Sequence, residues 1–121
     1  MGKQATISRS DLDAGLVELP EAEGAPLPPV HPGEVLRHEF LDPLGLSAHA
    51  LALALRVPAN RISSILAAQR AVTAETALRL ARHFGTSAGF WLNLQKSYEL
   101  EVAERAEGAR IRAEVLPHRA A

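Results

Sequence analysis

The stretch Leu46–Leu66, LSAHALALALRVPANRISSIL, decides the fold: its spacing describes two short helices across a tight turn, with one face of the second left polar. Ser47 is placed to cap the first helix, in which Leu51, Ala52 and Leu55 share a stripe and Ala52 is small enough for a crossing helix to approach. Val57 closes the turn. Pro58, its φ fixed near the helical value, reads as the first residue of the second helix, whose Ile62, Ile65 and Leu66 recur at helical spacing and pack back on the first. This is a helix-turn-helix pattern. The free face of the second helix carries Ala59, Asn60, Arg61, Ser63 and Ser64. These are short polar groups and one long cation, the types that hydrogen-bond base edges when a helix N-terminus enters a major groove.

Outward from the motif, Glu34–Leu41 carries Val35, Leu36 and Phe40 on one stripe and reads as a helix that stops before Asp42-Pro43. Downstream, Ala67–Val72 reads as a loop and Thr73 as the cap of a fourth helix, with Ala77, Leu78, Leu80, Ala81 and Phe84 as its buried stripe and Gly85 as its end. Ser87 caps a fifth, about 18 residues long, running to Ala106, with Gly108 interrupting it. Residues 109–116 extend it weakly at most. Five helices and no convincing strand make the fold all-α.

The chain divides into an arm over 1–30, a helical domain over 31–106 and a tail over 107–121. Five prolines within Pro20–Pro32 forbid a helix and read as an extended linker, while Leu12, Leu16, Val17 and Leu19 upstream are enough to fold against a partner but not alone. With 121 residues, 47% of them apolar, the chain suits one ordinary core. It has no cysteine, which excludes disulfides and thiolate chemistry and is compatible with a reducing cytoplasm. The start has no apolar run after its basic residues and no stretch is long and apolar enough to span a membrane, so a cytoplasmic protein without membrane attachment is expected.

A formal net charge of −1 argues at first against a nucleic-acid partner. Its distribution argues otherwise: residues 1–30 carry a net −3, whereas residues 31–84 set six arginines against four acids. That modest surplus implies weak binding by one copy and points to two copies on adjacent half-sites. No HxxxH or HExxH spacing, glycine-rich phosphate loop or catalytic set occurs, so no metal, no cofactor and no enzymatic activity are expected.

Taken together, residues 31–100 resemble the HigA family of addiction-module antitoxins, a branch of the phage-repressor-like (XRE) helix-turn-helix proteins. The resemblance rests on His31-Pro32-Gly33-Glu34, on Leu41-Asp42-Pro43-Leu44-Gly45-Leu46-Ser47, and on Val57-Pro58 with Asn60-Arg61-Ile62. It rests further on Thr73-Ala74 with Thr76-Ala77-Leu78-Arg79-Leu80-Ala81 and on Phe90-Trp91-Leu92-Asn93-Leu94-Gln95. It implies a five-helix lambda-repressor-like domain with an extended N-terminal arm, acting as a homodimer on double-stranded operator DNA. It also implies autorepression and neutralisation of a HigB-like mRNA-cleaving toxin. In relatives the loop after the recognition helix contacts phosphates, which makes Gln69, Arg70 and Thr73 candidates beside Ser47 and His49 at the start of the preceding helix. Where the family has glycine before the turn this chain has Arg56, and where relatives place a phosphate-holding Gln it has Ala48.

Each assignment has a plainer counterpart. Asn60 and Arg61 could be solvated surface, and an arginine there can read guanine, hold a phosphate or brace the fold; Ala59, Asn60 and Ser64 are the safer base contacts. Phe90 reads as core, whereas Trp91, Leu94, Tyr98 and Val102 form a stripe that could bury itself against a second copy. The acidic arm could cover a basic toxin surface or be a tail. The same fold also serves a stand-alone transcription regulator, or an interaction module whose DNA face has decayed.

Overall fold

The computed structural model describes residues 27–119, so the arm expected over 1–30 lies outside the described residues except for 27–30, which have no regular structure. Five helices follow. The first, α1, spans residues 32–44 as α-helix over Pro32–Val35, π-helix over Leu36–Leu41 and α-helix over Asp42–Leu44. The others are α2 (Ala48–Leu55), α3 (Ala59–Leu66), α4 (Ala74–Phe84) and α5 (Ala88–Glu114).

Side chains that accept from the free N–H groups of the first turn start four of them: His31 Nδ1 for α1, Ser47 for α2, Thr73 for α4 and Ser87 for α5. The first helix does not stop before Asp42-Pro43. Proline lacks the N–H of a regular turn and crowds the carbonyl four residues back, but the π segment widens the rod, with the Asp42 N–H bonding to Arg37 O, and carries the helix through Pro43 to Gly45. Nor does Pro58 open α3 as its first helical residue. With ψ at 146° it is the extended residue just before the helix, and its carbonyl receives the Arg61 N–H.

The core is Leu36, Leu41, Leu51, Ala52, Leu55, Ile62, Ile65, Val72, Ala77, Leu80 and Trp91, all buried. Leu78, expected on the inner stripe of α4, is exposed, and Thr76 is buried in its place beside the expected Ala77 and Leu80. At the start of α5 the two aromatics exchange the expected roles. Trp91 is fully buried, its Nε1 donating to Thr86 Oγ1 at 2.8 Å, while Phe90 is 37% exposed and meets it edge-on. A residue that closes the monomer's own core has no surface left for a partner, so Trp91 leaves the expected interface stripe.

The last helix runs eight residues further than the expected boundary at 106, to Glu114. Glycine inside a helix costs about 1 kcal/mol relative to alanine. Around Gly108, Arg105 pairs with Glu101, Arg110 with Glu107 and Glu114, and Arg112 with Glu104, and such pairs contribute a few tenths of a kcal/mol each.

Candidate nucleic-acid interface

The helix-turn-helix is α2 packed on α3, joined through Arg56, Val57 and Pro58. Arg56 has φ 63°, the left-handed conformation that favours glycine, and Val57 N–H reaches back to Ala52 O at 3.0 Å. At the far end of α3 its carbonyl edge meets α1, where Gly33 comes so close that a Cβ would lie 2.1 Å from Ile65 O. The recognition helix is thus held at both ends.

Among the expected base contacts, Ala59, Asn60 and Ser63 are exposed and Ser64 is half-buried. Ser63 Oγ donates to Asn60 O at 3.3 Å, which keeps that hydroxyl against its own helix. Unlike the other helices, α3 has no side-chain cap. No side chain therefore competes for the positive end of its dipole, which suits an anionic partner, although the Arg61 N–H is already bonded to Pro58 O.

Arg61 departs from the expectation. Its Nη1 donates to Glu75 Oε1 at 2.9 Å, its side chain is only 25% exposed, and its Nε is buried without a partner. The other oxygen of Glu75 accepts from Arg79 Nε at 2.9 Å, and Arg79 Nη1 continues to Leu55 O at 2.8 Å. Hydrogen bonds from Arg79 and then Arg61 hold the Glu75 carboxyl below its ordinary value. Composition gave no sign of this triad, whose members lie 14 and 18 residues apart along the chain from Arg61.

The expected phosphate contacts Ser47, His49, Gln69, Arg70 and Thr73 are all exposed. Ser47 and His49 stand at the start of α2. The other three follow α3 in a loop with an anchor that sequence reading missed. Gln95, buried on α5, accepts the Val72 N–H at 2.8 Å through Oε1 and donates to Glu99 at 2.9 Å. His31, also buried, accepts from the Gly33 N–H at 2.9 Å and packs edge-on against Tyr98. Burial pushes the His31 imidazole below its ordinary pKa, against the nearby Glu34 charge and the Arg70 backbone, which pull it up.

The remaining stripe on α5 is mixed. Leu94 packs against the core, Tyr98 is half-buried on His31, and Val102 is 40% exposed. Further along, Leu100 and Ile111 are exposed and flank a shallow groove with Ala103 and Gly108. Among the described residues no three His, Cys, Asp or Glu side chains cluster as metal ligands, and no helix is long and apolar enough to cross a membrane.

Residues 38–91, which include the whole α2–α4 unit, match the helix-turn-helix family. The chain is 57% identical over 79 residues to virulence-associated protein I of Dichelobacter nodosus, covering 65% of this chain and 73% of that protein. Two solved structures superpose on it. The Pseudomonas aeruginosa antitoxin HigA with the higBA promoter shares 48% identity at a TM-score of 0.72, over 74% of this chain and 97% of that one. An addiction-module antidote protein of the HigA family from Coxiella burnetii shares 46% at a TM-score of 0.73, over 76% and 100%.

Proposed function

Because the chain belongs to the HigA family of helix-turn-helix antitoxins, we propose that it binds the operator of its own promoter as a homodimer, represses it, and neutralises a HigB-like mRNA-cleaving toxin in the cytoplasm. The observation that carries the DNA-binding part is the start of α3: an uncapped helix N-terminus presenting Ala59, Asn60 and Ser63 outward, steadied behind by the core through Ile62 and Ile65. Asn60 has the donor and acceptor pair that reads adenine, and Ser64 stands one turn along. Ser47, His49, Gln69, Arg70 and Thr73 take phosphates and set the register, with Gln95 holding their loop to α5. The protein acts by binding, and no step of chemistry is assigned to it.

The promoter-bound relative supports this reading of the motif. The test is a gel-shift titration against DNA from the chain's own upstream region and against an unrelated fragment, with Asn60→Ala alongside. Selective binding that Asn60→Ala abolishes is the expected result; equal affinity for both fragments would overturn it. Toxin contact belongs, on charge, to the acidic residues of the arm, since a toxin that binds RNA presents a basic surface. Deleting residues 1–28 is expected to weaken capture of the purified toxin, and unchanged capture would move the contact elsewhere.

A further inference from the structure

Arg61 lies in the first turn of α3, between residues that face outward, yet its guanidinium turns inward to Glu75. We propose that Arg61 is a positioning residue for operator recognition: with Glu75 and Arg79 it forms a clasp that fixes the angle of α3 across the turn, and reads no base itself. The proposal rests on the DNA-binding reading above.

The hydrogen bonds run in an unbroken path from the start of α3, through α4, to the end of α2. Arg61 Nη1 meets Glu75 Oε1 at 2.9 Å, Glu75 Oε2 meets Arg79 Nε at 2.9 Å, and Arg79 Nη1 meets Leu55 O at 2.8 Å. Leu55 is the last residue of α2, where carbonyls lack helical partners, so Arg79 satisfies a group the helix itself leaves open. The path spans the linker Arg56–Pro58, in which Arg56 holds a left-handed backbone without being glycine. Packing through Val57 places that linker, but side-chain packing alone tolerates small rotations that would carry Asn60 away from a base edge.

Turning Arg61 outward to a base or phosphate would break one of the two guanidinium bonds on Glu75. It would also release a carboxylate beside the DNA, whose charge repels it. Half-exposed ion pairs contribute little to stability, so the clasp's value is directional. Direction is also what arginine supplies and lysine does not: Arg79 addresses two acceptors at once from a rigid fork.

The experiment measures affinity for operator and for an unrelated fragment, at several salt concentrations, on the full chain. The variants are Glu75→Gln, Arg79→Lys, Arg61→Ala and the Arg61→Ala/Glu75→Gln pair, each checked by circular dichroism to be folded at the assay temperature. The expected result is a loss of operator preference of about tenfold in each single variant, no further loss in the pair, and an unchanged salt slope. Preference retained in Glu75→Gln and Arg79→Lys would overturn the clasp alone, as would an Arg61→Ala salt slope reduced by about 0.9, the mark of a lost phosphate contact. A wild-type chain indifferent to the two fragments would overturn the DNA-binding reading and the clasp's role with it.

Discussion

At the scale of single residues, the helix ends carry strain that the fold can lose without changing shape. Three helices end in the same paired pattern. Leu46 N–H returns to Leu41 O and Gly45 N–H to Asp42 O after α1; Val57 to Ala52 and Arg56 to Leu53 after α2; Gln69 to Ser64 and Ala68 to Ile65 after α3. This Schellman geometry needs a left-handed residue, at a cost of roughly 1 kcal/mol when a Cβ is present. Only α1 uses glycine there; Arg56 has φ 63° and Ala68 has φ 61°. Ala68→Gly is therefore expected to stabilise the fold by roughly 0.5–1 kcal/mol, read as a rise of a few degrees in Tm. A fall in Tm would show that the greater freedom of glycine in the unfolded chain outweighs the relief. His31 works in the opposite sense. Its Nδ1 must stay unprotonated to accept the Gly33 N–H, and burial lowers its pKa in the folded chain. The unfolded chain takes up the proton at the ordinary value of about 6.5, so the contribution is whole above that pH and is lost as the pH falls toward the folded value. The urea midpoint should drop more steeply between pH 7.5 and 5.5 in the wild type than in His31→Asn, whose cap does not titrate; parallel slopes would contradict this.

At the scale of elements, the close crossing of α1 and α3 depends on Gly33. A Cβ there would meet Ile65 O at 2.1 Å and Leu66 Cα at 3.0 Å, backbone atoms that cannot step aside as a side-chain tip can. Gly33→Ala is expected to cost at least about 2 kcal/mol and to shift α3, lowering Tm and operator affinity together. A Tm unchanged within error would mean the helices separate freely. This crossing also marks where sequence reading stops. Caps at Ser47, Thr73 and Ser87 and the stripes of α2 and α3 were legible because capping and helical period are local signals. Pro43 looked like a stop because a π-turn leaves no local signature. Leu78 looked buried because the period of α4 permits either neighbour of Ala77 on the inner face, and only the position of α5 chooses. The bonds from Arg61 to Glu75, from Arg79 to Leu55 and from Gln95 to Val72 join residues 14 to 24 positions apart, and no spacing rule announces them. The outward face of α3 was read correctly as a surface. What the sequence could not say was that Arg61, the one cation on it, is already engaged.

At the scale of the molecule, one copy has little with which to hold DNA: six arginines against four acids over residues 31–84, and two of the six tied to Glu75. The proposed second copy would double the phosphate contacts, and the surface proposed for it lies on α5. The helix is 27 residues long, about 40 Å, and beyond Glu99 every residue except Gly108 is exposed through Glu114. On that projecting part Leu100, Ala103, Gly108 and Ile111 recur at helical spacing, an apolar stripe bordered by the Glu104–Arg112 ion pair, whose carboxylate covers Gly108. Burying it against the same stripe about a two-fold axis would fix the separation of two α3 helices, and with it the half-site spacing. The pair Leu100→Glu, Ile111→Glu puts two like charges on that stripe while leaving the monomer core untouched. Sedimentation should then report a monomer that melts with the wild-type Tm, and affinity for a full operator should fall to that for a single half-site, at least 100-fold by the usual gain from joining two weak contacts. A variant that stays dimeric would move the interface off this stripe, toward the exposed Phe90 at the start of α5 or the residues of the arm.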